Sequence, residues 1–102
     1  MRIEERTSKA KSFVRSAMEF IELAHKEGEM TQEEYSMLKE DLVDAKHSLY
    51  KAEDKCLRAI RRRSYREHAV FSMIRARTNL QRDDQSHEAR YMLYQAISIM
   101  IA

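Results

Sequence analysis

The stretch Gly28-Glu29-Met30-Thr31-Gln32-Glu33-Glu34-Tyr35 carries an end signal and a start signal for helices back to back. Gly28, the only glycine in the chain, follows an amphipathic run and tolerates the left-handed conformation that closes a helix. Thr31 reads as an N-cap, with Glu34 three residues on completing a capping box and Met30 and Tyr35 placed as a hydrophobic staple. Two antiparallel helices are therefore expected to meet here.

Upstream of the turn, Ala10, Phe13, Val14, Ala17, Met18, Phe20, Ile21 and Ala24 recur at three- and four-residue steps, which predicts a helix from an N-cap at Ser8 to Glu27. Residues 1–7 read as a flexible arm. Downstream, Leu38, Leu42, Ala45, Leu49, Ala52, Cys56 and Ala59 alternate by four and three, a heptad seam that predicts one long second helix. The first helix can cover only about 20 residues of it. The seam fails at Arg63 and Arg66, and Ser64 with Glu67 offers a second capping box, so a kink or break is expected there.

A third helix is expected to bury Ala69, Val70, Met73, Ile74, Ala76 and Leu80 and to end before Arg82-Asp83-Asp84-Gln85. Asp83, Asp84 or Ser86 would cap a fourth helix, whose stripe is Ala89, Leu93, Ala96, Ile97 and Met100. That helix is expected to pack on the uncovered second half of the second helix and on the third, leaving Tyr91, Tyr94 and Ile101 as a dimer or partner edge. The expectation is an all-α, bundle-like single domain over residues 1–102, a helical hairpin extended by two further helices and assembled as a homodimer. No proline, one glycine and 35% charged residues argue against a sheet.

The Gly-x-Met-Thr-x-Glu-Glu-Tyr pattern, followed by Leu38 and Lys39, resembles the short helical hairpin called SHOCT over residues 24–42. The resemblance implies the hairpin and no particular activity.

Chemistry is constrained mainly by what the sequence lacks. A single cysteine, Cys56, excludes an internal disulfide and reads as a small hydrophobe in the heptad seam. Glu22 with His25, and Asp44 with His47, have the spacing of di-iron bundle ligands, but the hairpin register separates the two pairs by roughly 15 Å. They are read as surface residues, with no metal and no cofactor expected. There is no glycine-rich phosphate loop and no apolar run long enough to span a membrane, which leaves the cytoplasm as the expected compartment.

Charge is distributed unevenly. Residues 1–57 hold 10 basic and 13 acidic side chains, whereas residues 58–82 hold eight arginines and one acid, Glu67. Arg58, Arg61, Arg62, Tyr65 and Arg66 follow helical steps and are expected to form one ridge, with Arg75, Arg77 and Arg82 on the next element. Such a ridge can contact nucleic-acid phosphates with Tyr65 stacking on a base, or grip an acidic protein surface, or pair internally with Glu53, Asp54 and Glu67. The expected function is that of a small non-enzymatic interaction or regulatory protein presenting this surface to an acidic macromolecule, the alternative being a nucleic-acid-binding protein that uses Arg58–Arg82.

Overall fold

A computed structural model describes residues 2–80 and 87–102, and among them the chain is all-α. Four helices follow in order: α1 (Ile3–Lys26), α2 (Gln32–Glu53), α3 (Ala59–Asn79) and α4 (His87–Ile101). They form a bundle in which α1 packs against α2 and α4, and α3 against α2 and α4. The proposed caps Asp83, Asp84 and Ser86, the turn containing them and Arg82 lie outside the described residues.

The α1–α2 turn follows its capping residues. Gly28 adopts φ 77° and closes a Schellman motif: the Glu29 amide donates to the Ala24 carbonyl (2.9 Å) and the Gly28 amide to the His25 carbonyl (3.1 Å). Thr31 Oγ1 accepts from the Glu34 amide at 3.1 Å and donates to the Glu34 carboxylate at 3.0 Å. The second bond departs from a reciprocal capping box, in which the carboxylate would take the Thr31 amide. Met30 and Tyr35 pack onto the core beneath the turn, and His25 stacks flat on Tyr35, centroids 4.0 Å apart. A Cβ at Gly28 would meet nothing within 4 Å, so Gly28→Val is penalised by backbone conformation alone. The expected loss is about 1 kcal/mol or more, measured by denaturant melts; an unchanged midpoint would remove Gly28 from this role.

Three boundaries differ from the sequence expectation. Helix α1 starts at Ile3 and not after Ser8, so residues 3–7 are helical instead of forming an arm. Thr7 is buried with its hydroxyl donating to the Ile3 carbonyl (2.8 Å), and Glu4 and Glu5 occupy the first turn, where negative charge favours a helix N-terminus. Helix α2 stops at Glu53, ten residues before the expected break at Arg63, because Asp54 turns the chain: its Oδ1 accepts from the Cys56 amide (2.9 Å) and its carbonyl from the Leu57 amide (3.1 Å). Ser64 and Glu67 then fall inside α3, and Cys56 is exposed instead of filling a seam.

Shortening α2 removes the uncovered half on which α4 was expected to dock. Helices α1 and α2 have nearly equal lengths, so α4 lies in the groove between α1 and α3. Arg6 Nη1 donates to the Ala102 carbonyl (2.6 Å), while Lys11 joins Glu53 (2.6 Å) and lies over the Tyr50 ring at 4.1 Å. These contacts tie α1 to both neighbours.

The core has two alternating kinds of position. Among the described residues alanine occupies nine of the eighteen buried apolar sites and recurs every seventh residue on each helix: Ala10, Ala17 and Ala24; Ala45 and Ala52; Ala69 and Ala76; Ala89 and Ala96. Larger side chains stand between them, Val14 and Ile21 on α1, Leu42 and Leu49 on α2, Met73 and Leu80 on α3, Leu93 and Ile97 on α4. Small residues let helix axes approach toward the lower end of the usual range, about 8 Å, and the assembly measures 43 × 23 × 18 Å. On α3 the expected stripe holds at Ala69, Met73, Ala76 and Leu80, but Ile74 is exposed.

Candidate functional site

The corner at Asp54 decides where the arginines go. By starting α3 at Ala59 it places Arg61, Arg62, Arg63 and Arg66 in the first two turns, in helical phase with buried Ala69, Met73 and Ala76. That phase turns Arg62, Tyr65 and Arg66 toward the bundle, where each is half-buried, and leaves Arg58, Arg61 and Arg63 exposed. The run is therefore not one ridge.

Arg62 and Arg66 meet at a cavity of about 210 Å³ between the start of α1, the end of α2 and the start of α3. Glu4 and Thr7 line it from α1, Ala52 and Glu53 from α2, and Lys55 from the corner. Glu53 is paired with Lys11. Lys55, Arg62 and Arg66 thus face Glu4 as the remaining acid on the wall. Arg62 Nε is shielded from solvent and has no hydrogen-bond partner. Three cations sharing one cavity wall suit a carboxylate or phosphate oxygen. The adjoining N-terminus of α3 has no side-chain cap, so its dipole adds to the positive field.

The other expected site residues are elsewhere. Arg75 lies on the α2 side of α3, its Nε 3.3 Å from Asp41 Oδ1. Arg77 lies over the Tyr94 ring of α4 at 5.2 Å. Of the acids weighed as internal partners, Glu67 takes Arg63 Nε at 3.3 Å, an exposed pair of little energetic weight. Glu53 pairs with Lys11, and Asp54 shapes the corner. Glu4, Thr7 and Lys55 were missed as cavity residues because the first was assigned to an arm and the last to a continuous helix.

A second polar cluster joins α2 to α3. Asp44 does not act with His47: its Oδ2 accepts from Ser72 Oγ and lies against His68 Nε2, both at 2.7 Å. Ser72 is fully buried, so Asp44 answers the one hydroxyl on the α3 core face. Donation by Ser72 holds the Asp44 carboxyl below its ordinary value, against the opposing effect of burial, and His68 adds to the lowering. Burial raises Asp41 above its ordinary value despite nearby Arg75. The two act with opposite signs. Asp44 stabilises the fold above the ordinary carboxylate range and loses that contribution as pH falls through its folded-state value; Asp41 disfavours the fold as pH rises through its own. Ser72→Ala should raise the Asp44 value seen by NMR titration and start the acid loss of stability at higher pH. An Asp44 curve that does not move would show that the hydroxyl does not hold it.

His25 is engaged with Tyr35 and with Gln32 (2.9 Å), while Glu22 and His47 are exposed. Among the described residues no three His, Cys, Asp or Glu side chains converge as a metal site, and no helix is long and apolar enough to cross a membrane. Comparison with protein-family models, with curated proteins and with solved structures finds no match.

Proposed function

We propose that this chain is a small, non-enzymatic helical interaction protein that binds an acidic macromolecular partner through the cationic corner where α2 meets α3. The observation that carries this reading is the cavity whose wall brings together Arg62, Arg66 and Lys55. Arg58, Arg61 and Arg63, exposed on the same first turns of α3, add to the positive field at this end of the bundle. An acidic protein side chain fits better than a nucleic-acid strand: Tyr65, the aromatic nearest the arginines, is half-buried, and the arginines are spread over different flanks instead of tracking a backbone. The protein acts as a homodimer, and its lone unpaired cysteine suits a reducing cytoplasm.

The test is affinity capture from the native host with wild-type protein and with Arg61→Gln, Arg62→Gln, Arg66→Gln combined, each with and without nuclease. Capture that survives nuclease and is lost in the triple variant, with helicity by circular dichroism nearly intact, supports the reading. Capture abolished by nuclease transfers the surface to nucleic acid, where affinity should fall steeply with salt. Capture retained by the triple variant removes the corner from the site.

A further inference from the structure

The corner arginines also form one half of a larger charge pattern on the described surface. Residues 27–44 hold seven acids and one lysine, whereas residues 58–66 hold five arginines and no acid. These two stretches lie toward opposite ends of the bundle, because α2 and α3 run antiparallel from the Asp54 corner. The molecule therefore carries an acidic end and a basic end along its 43 Å axis.

On the side where α2 and α3 adjoin, the helical repeat brings the pattern onto one face. Glu33, Met37, Glu40 and Asp44 follow one another at four- and three-residue steps on α2; on α3 Arg61 stands seven residues before His68, which Phe71 and Arg75 follow at steps of three and four. The Asp44 bonds to Ser72 and His68 set the level of the two helices, and Phe71, between those two residues in sequence, lies at about the level of Asp44. From that level Glu33 lies about 15 Å toward one end and Arg61 about 15 Å toward the other. Phe71, 69% exposed, is thus midway between opposite charges, with Met37 (56% exposed) as a second apolar group on the same face.

We infer that a second copy of this chain docks antiparallel on the α2–α3 face, about a two-fold axis in the face at the level of Phe71. The inference rests on the homodimer stated above and names its interface. Such an axis brings Phe71 of the two copies together and lays the acidic end of each over the basic end of the other. An isologous contact requires a self-complementary surface, and a face with opposite charges equidistant from an apolar centre meets that requirement.

Sedimentation of the full chain tests the dimer, and two charge variants test the face. Glu33→Lys with Glu40→Lys reverses the charge of two acidic positions of this face; Arg58→Glu with Arg61→Glu reverses two positions of the basic stretch opposite them. Each variant alone should dimerise on the order of tenfold or more weakly than wild type, since like charges then oppose each other at both ends. An equimolar mixture of the two should recover the dimer mass as a heterodimer, and so should a chain carrying all four changes. Phe71→Asp should be monomeric, with circular dichroism verifying that it is folded. A wild-type protein that is monomeric throughout its soluble range overturns the homodimer and this interface together, leaving the acidic-partner reading to its own test. A wild-type dimer unmoved by the charge variants and by Phe71→Asp keeps the homodimer and overturns this face; loss of the dimer on Tyr91→Asp would then assign it to α4.

Discussion

Deletion of residues 91–102 should leave a molten, ANS-binding species or an aggregate with no cooperative melting transition. Most of α4 is removed by this change, including Leu93, Ala96 and Ile97, all buried between α1 and α3. Their loss opens the side of the apolar cluster where α4 packs on α1 and α3. Burying a Leu or Ile side chain is worth about 1.5–3 kcal/mol, so losing Leu93 and Ile97 and uncovering the side chains they pack on removes a large share of the 5–15 kcal/mol by which domains are ordinarily stable. The helices that remain would keep far-ultraviolet signal while losing fixed packing, which is why dye binding and cooperativity are the measurements to make. A truncated chain that melts cooperatively and binds no dye would show that three helices suffice.

The second large effect lies in the alternation of small and large core positions. Leu42→Ala, at a fully buried site on α2, should cost about 2–5 kcal/mol through lost burial and the cavity left behind. Ala45→Leu, one turn further on and equally buried, should cost about 1–3 kcal/mol for the opposite reason, because a close-packed seam has no room for added methylenes. Chemical denaturation of the two variants and of their combination separates the effects. If the layers were interchangeable, the double variant Leu42→Ala/Ala45→Leu would regain wild-type stability by conserving volume. We expect it not to, because position 45 is fully buried and a larger side chain there is not accommodated by space freed one turn away. Full recovery would show that total volume matters here and the seven-residue spacing of alanine does not.

The hairpin was legible in the sequence because its instructions are local: Gly28, Thr31 and Glu34 act on backbone groups within a few residues of themselves. The corner at Asp54 was concealed for a physical reason. Ala52, Cys56 and Ala59 continue the heptad phase of α2 across the break, so periodicity runs unbroken where the backbone does not. The signal that wins is a single carboxylate capturing the Cys56 amide, and an aspartate among many charged residues is weak evidence for a turn. Every error about the site followed from that boundary and from the start of α1. With α2 too long, Arg62 and Arg66 fall on one ridge with Arg58 and Arg61; with α1 too short, the wall that Glu4 and Thr7 supply to their cavity is absent. The separation of Arg75 from Arg77 depends on tertiary partners, Asp41 and Tyr94, that residue spacing alone cannot reveal.

The seam between α1 and α4 also bears on the order in which the chain assembles. Helices α1 and α2, like α2 and α3, are joined by five residues, so their contacts close small loops and can form early. The α1–α4 seam joins segments about sixty residues apart, and loop-closure entropy makes it the dearest contact to form unless the intervening helices are already paired. It is then the last surface to zip and the first to open. Stopped-flow chevrons should report this directly: Leu93→Ala should steepen unfolding and leave the refolding rate nearly untouched, whereas Leu42→Ala, inside the early α1–α2–α3 unit, should slow refolding.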